Sequence, residues 1–307
     1  MKFTIVVPVY QNEANLDTSI PELLSLAPSL EGELELVFVD DGSKDSSFDI
    51  LLNYQRQYPG VIKLVQFTKN FGQTSAIRAG IRESTGDCVG IISADLQDPP
   101  TLFLEMIRIW KEGHSVVIAE RTEREERFFH RFVSQTYWKA VSRFALTNYP
   151  EGGFDFCLFD KQVASDVNRF REGNTNIFAI VFWLGYDFQT IPYRRRLRRE
   201  GKSQWTLAKK LRLLADTFIG FSFLPIRFIS YMGVLVSVSA LFFTVGAVFS
   251  YFFLGTRYPG WTSIATLTAG IGGLVLLTLG VIGEYLWRIL DEVRGRPFFV
   301  VKRKLID

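Results

Sequence analysis

The sequence predicts an α/β domain on an open, mostly parallel sheet, followed by an amphipathic helix and a hairpin of two transmembrane helices. Three observations predict this order: short β-branched runs alternate with helical patterns in the N-terminal part, apolar residues then recur at helical spacing, and two long apolar stretches stand near the C-terminus. With 307 residues, 48% of them hydrophobic, the chain has room for one domain and a membrane appendage. We expect the α/β domain over residues 1–200, the amphipathic helix over 201–223, the hairpin over 224–290 and a cytoplasmic tail over 291–307.

The α/β domain is predicted from five apolar strands and four helices in alternation. The expected strands cover residues 3–7, 34–39, 61–67, 88–92 and 115–119, and the expected helices cover 15–30, 46–58, 73–84 and 100–113. Alternation of this kind indicates parallel strands joined by helices. In such sheets, ligands bind beyond the carboxyl ends of the strands.

Polar loops follow three of the predicted strands. They cover residues 8–13 after the first strand, 40–45 after the second and 95–98 after the fourth. Each loop alone could be a turn with a helix N-cap, because Asp, Asn and Ser are favoured there. Three such loops at successive strand ends favour a binding site.

The third loop carries the donor set of a divalent cation site. Asp95 and Asp98 flank Gln97, and Pro99 and Pro100 restrict the chain directly after them, so several oxygen ligands are expected on one rigid turn. Mg²⁺ and Mn²⁺ prefer oxygen ligands and share them with substrate phosphates, which makes a nucleoside diphosphate the expected ligand. The sequence lacks the Gly-rich dinucleotide fingerprint and the phosphate-binding P-loop, which argues against a dehydrogenase or a P-loop ATPase.

An amphipathic helix is predicted between the domain and the hairpin. Five apolar side chains recur at helical spacing, and three basic ones fall elsewhere on the helical wheel; they are Leu207, Leu211, Leu214, Phe218 and Phe221, and Lys209, Lys210 and Arg212. This pattern is typical of a helix at the boundary between lipid headgroups and acyl chains. The alternative is a helix packed on the protein's own core.

Two apolar stretches, residues 228–254 and 264–290, are each longer than the roughly 20 residues that cross a bilayer core. Basic residues crowd both outer flanks, whereas the turn contains Arg257 alone, so both termini are expected to be cytoplasmic. The chain is therefore expected to be an integral membrane protein. Small residues at Ala269 and Gly273 suit either packing within the hairpin or formation of a homo-oligomer.

Charge and cysteine content argue against a nucleic-acid-binding protein and against a fold held by disulfides or a metal cluster. A net charge of +3, with the basic residues gathered at the membrane flank, argues against nucleic acid as a partner. The two cysteines, Cys88 and Cys157, are too few for a disulfide framework or a metal cluster, and we expect both to be small buried residues in a reducing compartment.

Four ordered motifs resemble the signatures of the inverting GT-A glycosyltransferases of family 2. The motifs are Val6-Val7-Pro8-Val9-Tyr10-Gln11-Asn12-Glu13, Val39-Asp40-Asp41-Gly42-Ser43, Asn70-Phe71-Gly72 and Ala94-Asp95-Leu96-Gln97-Asp98-Pro99-Pro100. Together with the apolar hairpin and the closing Arg296-Pro297-Phe298-Phe299, they are similar to the polyprenyl-phosphate branch of that family. The resemblance implies transfer of a hexose from a nucleotide sugar to undecaprenyl phosphate, with inversion. It favours glucose from UDP-glucose over mannose from GDP-mannose; a non-enzymatic membrane scaffold is the remaining alternative.

The same resemblance implies roles for individual residues. The nucleoside is expected at five positions of the first two loops: Pro8, Tyr10, Glu13, Asp40 and Asp41. Asp95 and Gln97 are expected to bind Mg²⁺ or Mn²⁺ and the diphosphate. Arg121 and Arg131 are expected near the lipid phosphate, although a solvated charged helix face would also explain them. Asp155 is expected to face the active site, where it would orient the acceptor or a sugar hydroxyl.

Overall fold

The computed structural model describes residues 1–121, 150, 154–170, 176–196, 224–254 and 260–306. It divides into two compact units, one formed by Met1–Thr217 together with Arg296–Asp307 and the other by Phe218–Gly295. Arg131 and the predicted amphipathic helix at 201–223 lie outside the described residues.

The described part of the first unit carries one eight-stranded sheet. Its strands are β1 (Lys2–Val9), β2 (Glu33–Asp40), β3 (Ile62–Phe67), β4 (Cys88–Ile91), β5 (Val116–Arg121), β6 (Cys157–Asp160), β7 (Phe188–Tyr193) and β8 (Val301–Leu305). Their spatial order is β7-β5-β6-β4-β1-β2-β3-β8. All five predicted strands are confirmed, and β6, β7 and β8 are additional to them.

The sheet is mixed rather than mostly parallel. Strand β1 pairs in parallel with β2 and β4, as do β2 with β3 and β5 with β7. Strand β6 lies antiparallel between β4 and β5, and β8 lies antiparallel along β3. The parallel centre follows from the alternation of strands and helices, whereas the three antiparallel pairings involve two short strands that come later in the chain.

The helices of the first unit bury their apolar faces against the sheet or against one another. They are α1 (Glu13–Leu24), α2 (Ser47–Gln57), α3 (Gln73–Glu83), α4 (Leu102–Lys111), α5 (Lys161–Arg169) and α6 (Ile177–Trp183). The four predicted helices are confirmed, although α1 ends at Leu24 rather than at residue 30 and is followed by a single 3₁₀ turn, Ala27–Ser29. Asp160 caps α5, since its Oδ1 accepts a hydrogen bond from Gln162 N at 2.7 Å.

The core between sheet and helices is packed closely enough to require a glycine. The rings of Phe103 and Phe156 meet edge to face, with centroids 4.9 Å apart. A Cβ added at Gly90 would lie 2.3 Å from the Phe103 ring, so only glycine fits there. Cys88 and Cys157 are buried free thiols, as predicted, and burial raises the pKa of each.

The C-terminal segment returns to the first unit, where it contributes β8. Backbone pairing runs from Leu64 opposite Leu305 to Phe67 opposite Val301. Just before the strand, the ring of Phe299 stacks on that of Phe67 at 4.8 Å. Residues 301–305, which were expected as part of the tail, therefore form one edge of the sheet, and residues 291–294 belong to the preceding helix.

The second unit contains two helices, α7 (Leu224–Leu254) and α8 (Gly260–Arg294). Among the described residues, one stretch, Gly270–Arg294, is long and apolar enough to cross a bilayer, and a second apolar stretch, Ile226–Val236, is shorter. Large apolar side chains on α8 are exposed, including Leu276 at 71% and Val293 at 77%. The two-helix transmembrane hairpin remains a prediction.

A buried carboxylate ties together the end of the sheet opposite to the polar loops. Glu35 on β2 is fully buried and forms ion pairs with Lys2 at 2.7 Å and Lys63 at 3.0 Å. It also accepts hydrogen bonds from the hydroxyl groups of Thr4 and Thr85. Burial alone would raise the pKa of Glu35, but hydrogen bonds from Lys2, Thr85 and Lys63 lower it to about 2.

Replacing Glu35 should therefore destabilise the fold in a pH-dependent way. We expect Glu35→Gln to lower the free energy of unfolding at pH 7 by about 1–3 kcal/mol, because buried donors lose a charged acceptor. The folded-state pKa is depressed, so this stabilisation is present above the ordinary value of 4.5 and is lost as pH falls through about 2. Denaturant unfolding at several pH values measures it. Glu33→Gln, at the exposed start of the same strand, is the control, and an equal loss in both variants would contradict the prediction.

Candidate active site

The site begins with a crevice at the carboxyl ends of the central strands. Strand β1 pairs with β2 as far as Val9 opposite Asp40, but with β4 only as far as Val6 opposite Ile91. The chain beyond β4 therefore diverges while β1 continues. This is the switch point of the sheet, where β1 has β2 on one side and β4 on the other, and ligands of open α/β sheets bind at such points.

The loops after β1 and β2 hold each other in place. Asp45 accepts hydrogen bonds from Glu13 N at 3.3 Å and from Ser47 N at 3.2 Å, so one carboxylate caps the starts of both α1 and α2. In return, Glu13 accepts a hydrogen bond from Ser46 N at 2.9 Å. One oxygen of Glu13, which was predicted to bind nucleoside, thus fastens the two loops together.

Asp40 and Asp41 connect the second loop to its surroundings. Asp40 is fully buried, and its Oδ1 accepts a hydrogen bond from Ser43 N at 3.1 Å. Asp41 accepts hydrogen bonds from Phe71 N at 2.6 Å and Gly72 N at 2.9 Å, at the start of α3. Burial raises the pKa of Asp40 and raises that of Asp41 to about 6. Both carboxylates therefore fix the conformation of the loops by accepting hydrogen bonds from their backbone N–H groups.

A cavity of about 470 Å³ lies beside these loops, which is a size typical of small-molecule sites. Its lining comes from the ends of β1, β2 and β3 and from β8: Tyr10, Gly42, Ser43, Lys44, Gln66, Phe67, Thr68, Lys69, Asn70 and Lys302. Gly42 has a φ of +67°, and a Cβ there would lie 2.4 Å from the Lys69 backbone. Of the five residues predicted to bind nucleoside, Tyr10 lines this cavity directly.

The loop after β4 contains Asp95, and the residue that follows it, Leu96, has a strained backbone conformation. Asp95 is half-buried, and its Oδ1 accepts a hydrogen bond from the Ser93 hydroxyl at 2.8 Å. The next residue, Leu96, is buried and has a φ of +43°, a conformation that costs a non-glycine residue of order 1–3 kcal/mol. Such strain is common at ligand sites. Gln97, half-buried, follows, and its backbone carbonyl accepts a hydrogen bond from Arg196 N at 2.8 Å.

Behind this loop lies a network of charged and polar side chains, of which Asp98 and Tyr193 are buried and the others are partly exposed. The Tyr193 hydroxyl donates to Asp98 at 2.5 Å and accepts a hydrogen bond from Arg121 Nε at 3.1 Å. Arg121 also forms an ion pair with Asp155, and Arg195 lies 3.3 Å from Asp98. The structure thus brings the predicted residues Arg121 and Asp155 into contact with each other and links them to the carboxylate loop through Tyr193.

The groups of this network shift one another's pKa values, and the positive charge of Arg121 is the one that is stabilised. Burial and the nearby Asp155 raise the pKa of Asp98, and burial together with Asp98 raises that of Tyr193. Burial alone would lower the pKa of Arg121, but the Asp155 carboxylate raises it. Arg121 therefore stays protonated, and its guanidinium is held in a fixed position on the strand end.

Sequence reasoning missed Tyr193 and the role of Arg195. Tyr193 ends β7 and Arg195 follows it, and this strand was not predicted. The signal that could have found Tyr193 is the aromatic residue at the end of a short run, Phe188–Tyr193, followed at once by three arginines.

Fold and site together define a class of protein: a GT-A domain, with a mixed Rossmann-like sheet, a cavity at the ends of β1, β2 and β3, and a carboxylate loop after β4. The model for glycosyl transferase family 2 matches residues 4–171. The chain belongs to this family and is a glycosyltransferase.

Relatives extend the similarity over the whole chain. The chain is 36% identical to the uncharacterized glycosyltransferase YkcC of Bacillus subtilis, covering 99% of this chain and 94% of the relative. It is 30% identical to the SfII prophage-derived bactoprenol glucosyl transferase of Shigella flexneri, covering 99% and 98% respectively. The resemblance to polyprenyl-phosphate glycosyltransferases is thereby confirmed.

A solved structure shares the fold at low sequence identity. The structure is glucosyl-3-phosphoglycerate synthase from Mycobacterium tuberculosis, in complex with Mn²⁺, UDP-glucose and phosphoglyceric acid. It has a TM-score of 0.52 and is 13% identical, covering 71% of this chain and 78% of that one. The similarity extends the evidence for the GT-A fold.

The Tyr193 hydroxyl should be a stabilising link between the carboxylate loop and Arg121. We expect Tyr193→Phe to lower the free energy of unfolding by about 1–3 kcal/mol, because the buried Asp98 loses a hydrogen-bond donor. Denaturant unfolding measures the change. Tyr186→Phe is the matched control, since the Tyr186 hydroxyl also donates to an aspartate, Asp166, at 2.6 Å but near the surface. An equal change in both variants would contradict the prediction.

Proposed function

We propose that this protein transfers glucose from UDP-glucose to a polyprenyl phosphate, with inversion at the anomeric carbon, at the cytoplasmic face of a bacterial plasma membrane. The observation that carries the proposal is the end-to-end similarity to a bactoprenol glucosyl transferase, in a chain whose carboxylate loop is intact at the end of β4. The relative's name supplies glucose and the bactoprenol lipid. The site supports a nucleotide-linked donor.

The donor is proposed to lie along the crevice at the strand ends. Tyr10 and Gly42 line the 470 Å³ cavity at the β1, β2 and β3 side, where the nucleoside would bind. Pro8 lies beyond the last residue of β1 that pairs with β4, and it would contact the donor between this cavity and Asp95. Asp40, Asp41 and Glu13 would act by holding the loops in their binding geometry, since each already accepts backbone hydrogen bonds.

The residues of the β4 loop fit a divalent cation shared with the donor. No group of three or more His, Cys, Asp or Glu side chains converges in the described residues, so the protein would supply few ligands. Mg²⁺ is commonly held in this way, by one or two carboxylates together with substrate phosphates. Asp95 and Gln97 would hold Mg²⁺ or Mn²⁺ here. When bound, the cation would stabilise the negative charge of the departing diphosphate.

The acceptor requires orientation rather than a general base. A polyprenyl phosphate is already ionised near neutral pH, so its oxygen can attack once it is aligned with the anomeric carbon. Arg121 would direct a guanidinium at the phosphate, and Arg131 is proposed for the same role on the evidence of the sequence alone. Asp155 would hold Arg121 in place and orient the acceptor or a sugar hydroxyl. Displacement from the back face would invert the anomeric centre.

The membrane setting is proposed from the second unit. Exposed apolar side chains along α8 suit a lipid environment, and no residue of the Gly270–Arg294 window is buried within the chain. We propose that α7 and α8 span the bilayer as a hairpin, with both termini cytoplasmic, and that residues 201–223 lie at the membrane surface. The small residues of α8 would allow a homo-oligomer.

Removing the Asp95 carboxylate should abolish transfer without unfolding the protein. We expect Asp95→Asn to lower kcat by about 100-fold or more, because the leaving diphosphate loses its stabilisation. EDTA should stop the wild-type reaction, and added Mg²⁺ or Mn²⁺ should restore it. The assay follows transfer from labelled UDP-glucose to undecaprenyl phosphate. Asp49→Asn, in the exposed first turn of α2, is the control. Near-wild-type turnover of Asp95→Asn would contradict the proposed metal site.

Arg121 should act on the acceptor side. Arg121→Lys keeps a positive charge but loses the planar fork that matches a phosphate. We expect the KM for polyprenyl phosphate to rise about tenfold or more while the KM for UDP-glucose stays unchanged. Initial-rate kinetics with each substrate varied in turn measures both constants. Arg108→Lys, on the exposed face of α4, is the control. An equal rise in both KM values would place Arg121 on the donor side.

A further inference from the structure

The pairing of β8 with β3 contains an extra residue at the cavity. Gln66 lies opposite Arg303, but the next residue, Phe67, lies opposite Val301, so the register shifts by one and Lys302 is the extra residue. An extra residue of this kind interrupts the alternation of side chains along a strand and redirects one of them. The redirected side chain is that of Lys302, which lines the 470 Å³ cavity.

The two basic residues that follow Lys302 are engaged elsewhere. The guanidinium of Arg303 lies 5.8 Å from the centroid of the Phe48 ring on α2, and Lys304 Nζ forms an ion pair with Glu83 on α3 at 2.5 Å. Within the described part of the chain, Lys302 has no ion-pair partner. Of three adjacent cations, Lys302 is the one directed at the cavity.

Contacts made by the residues just before β8 fix where the chain enters this strand. The guanidinium of Arg78 lies 4.4 Å from the Phe298 ring centroid, and the Ser75 hydroxyl donates to the Phe298 carbonyl at 3.2 Å. Thr68 N donates to the carbonyl of Val300 at 3.0 Å. These contacts fix the backbone just before β8, and they therefore fix the position of Lys302 at the cavity.

The position of Lys302 in the sheet decides which part of a donor it can reach. Asp95 follows β4, and three strand spacings, roughly 14 Å, separate β4 from β3. A diphosphate at Asp95 leaves the β3 side of the crevice for the nucleoside. An ammonium group has three hydrogen-bond donors and no acceptor, so it suits the carbonyl oxygens of a base such as uracil.

We propose that Lys302 is a donor-binding residue that contacts the nucleoside end of the nucleotide sugar from the cavity wall. The proposal rests on the proposed function of the crevice as a nucleotide-sugar site. It makes the C-terminal strand β8 part of that site. Because a nucleoside contact is the same in the ground state and the transition state, Lys302 should affect donor affinity and leave the chemical step unchanged.

The test compares Lys302→Ala with Lys304→Ala in the full-length protein in detergent. For Lys302→Ala we expect the KM for UDP-glucose and the Kd for UDP, measured by calorimetry, each to rise about tenfold, while kcat and the KM for polyprenyl phosphate stay unchanged. Lys304→Ala removes the same charge from the same strand but faces Glu83, so it should leave UDP affinity unchanged. Lys302→Arg should recover most of the affinity, because it restores a cationic donor.

Three results would overturn the inference. Unchanged UDP affinity in Lys302→Ala would remove Lys302 from the site. A fall in kcat with the donor KM unchanged would assign it to the leaving diphosphate instead. Equal losses in Lys302→Ala and Lys304→Ala would show a general effect of strand β8. Failure of the proposed function is a separate outcome, seen in the wild type as an absence of both UDP binding and glucose transfer.

Discussion

The unequal pairing of β1 with its two neighbours shapes the strand ends at which the donor site is proposed. Eight residues of β1 pair with β2, but only four pair with β4. A strand at the centre of a parallel sheet normally has both backbone edges occupied, so the early departure of β4 opens a gap that side chains and loops must fill. The Asp95 loop follows β4 on one side of β1, and the cavity lies on the other side, at the ends of β1, β2 and β3.

The carboxylates of the site are largely committed to structure. Asp41 binds the start of α3, Asp45 caps two helices, and Asp98 accepts a hydrogen bond from Tyr193. Buried acidic groups are costly unless they are hydrogen-bonded, and here the hydrogen bonds come mostly from backbone N–H groups of neighbouring loops. The loops are consequently held in one arrangement before any ligand arrives. A glycosyltransferase gains from this arrangement, because fixed donors and dipoles need no reorganisation as charge develops on the leaving group.

The parallel centre of the sheet could be predicted because its strands are continuous apolar runs and its helices have clear periodicity. The later strands could not. Strand β6 has four residues, and β8 reads as a basic tail because its sequence is Val-Lys-Arg-Lys-Leu. Charged residues of that kind are typical of sheet edges, where lysine discourages further strand pairing. Asp95 was found from its motif. The contact between Tyr193 and Asp98 joins residues 95 positions apart, and no local pattern records a contact at that distance.

The last strand also imposes an order of events during synthesis. Until residues 301–305 have been translated, β3 is an open edge, because its outer neighbour is β8. Synthesis proceeds at about 5–20 residues per second, so β3 waits roughly 10–50 s for its partner, and both apolar helices emerge from the ribosome in that interval. The wall of the cavity that contains Lys302 is thus completed only after the apolar helices exist. A chain interrupted within α8 would carry every polar loop of the crevice and still lack one side of it.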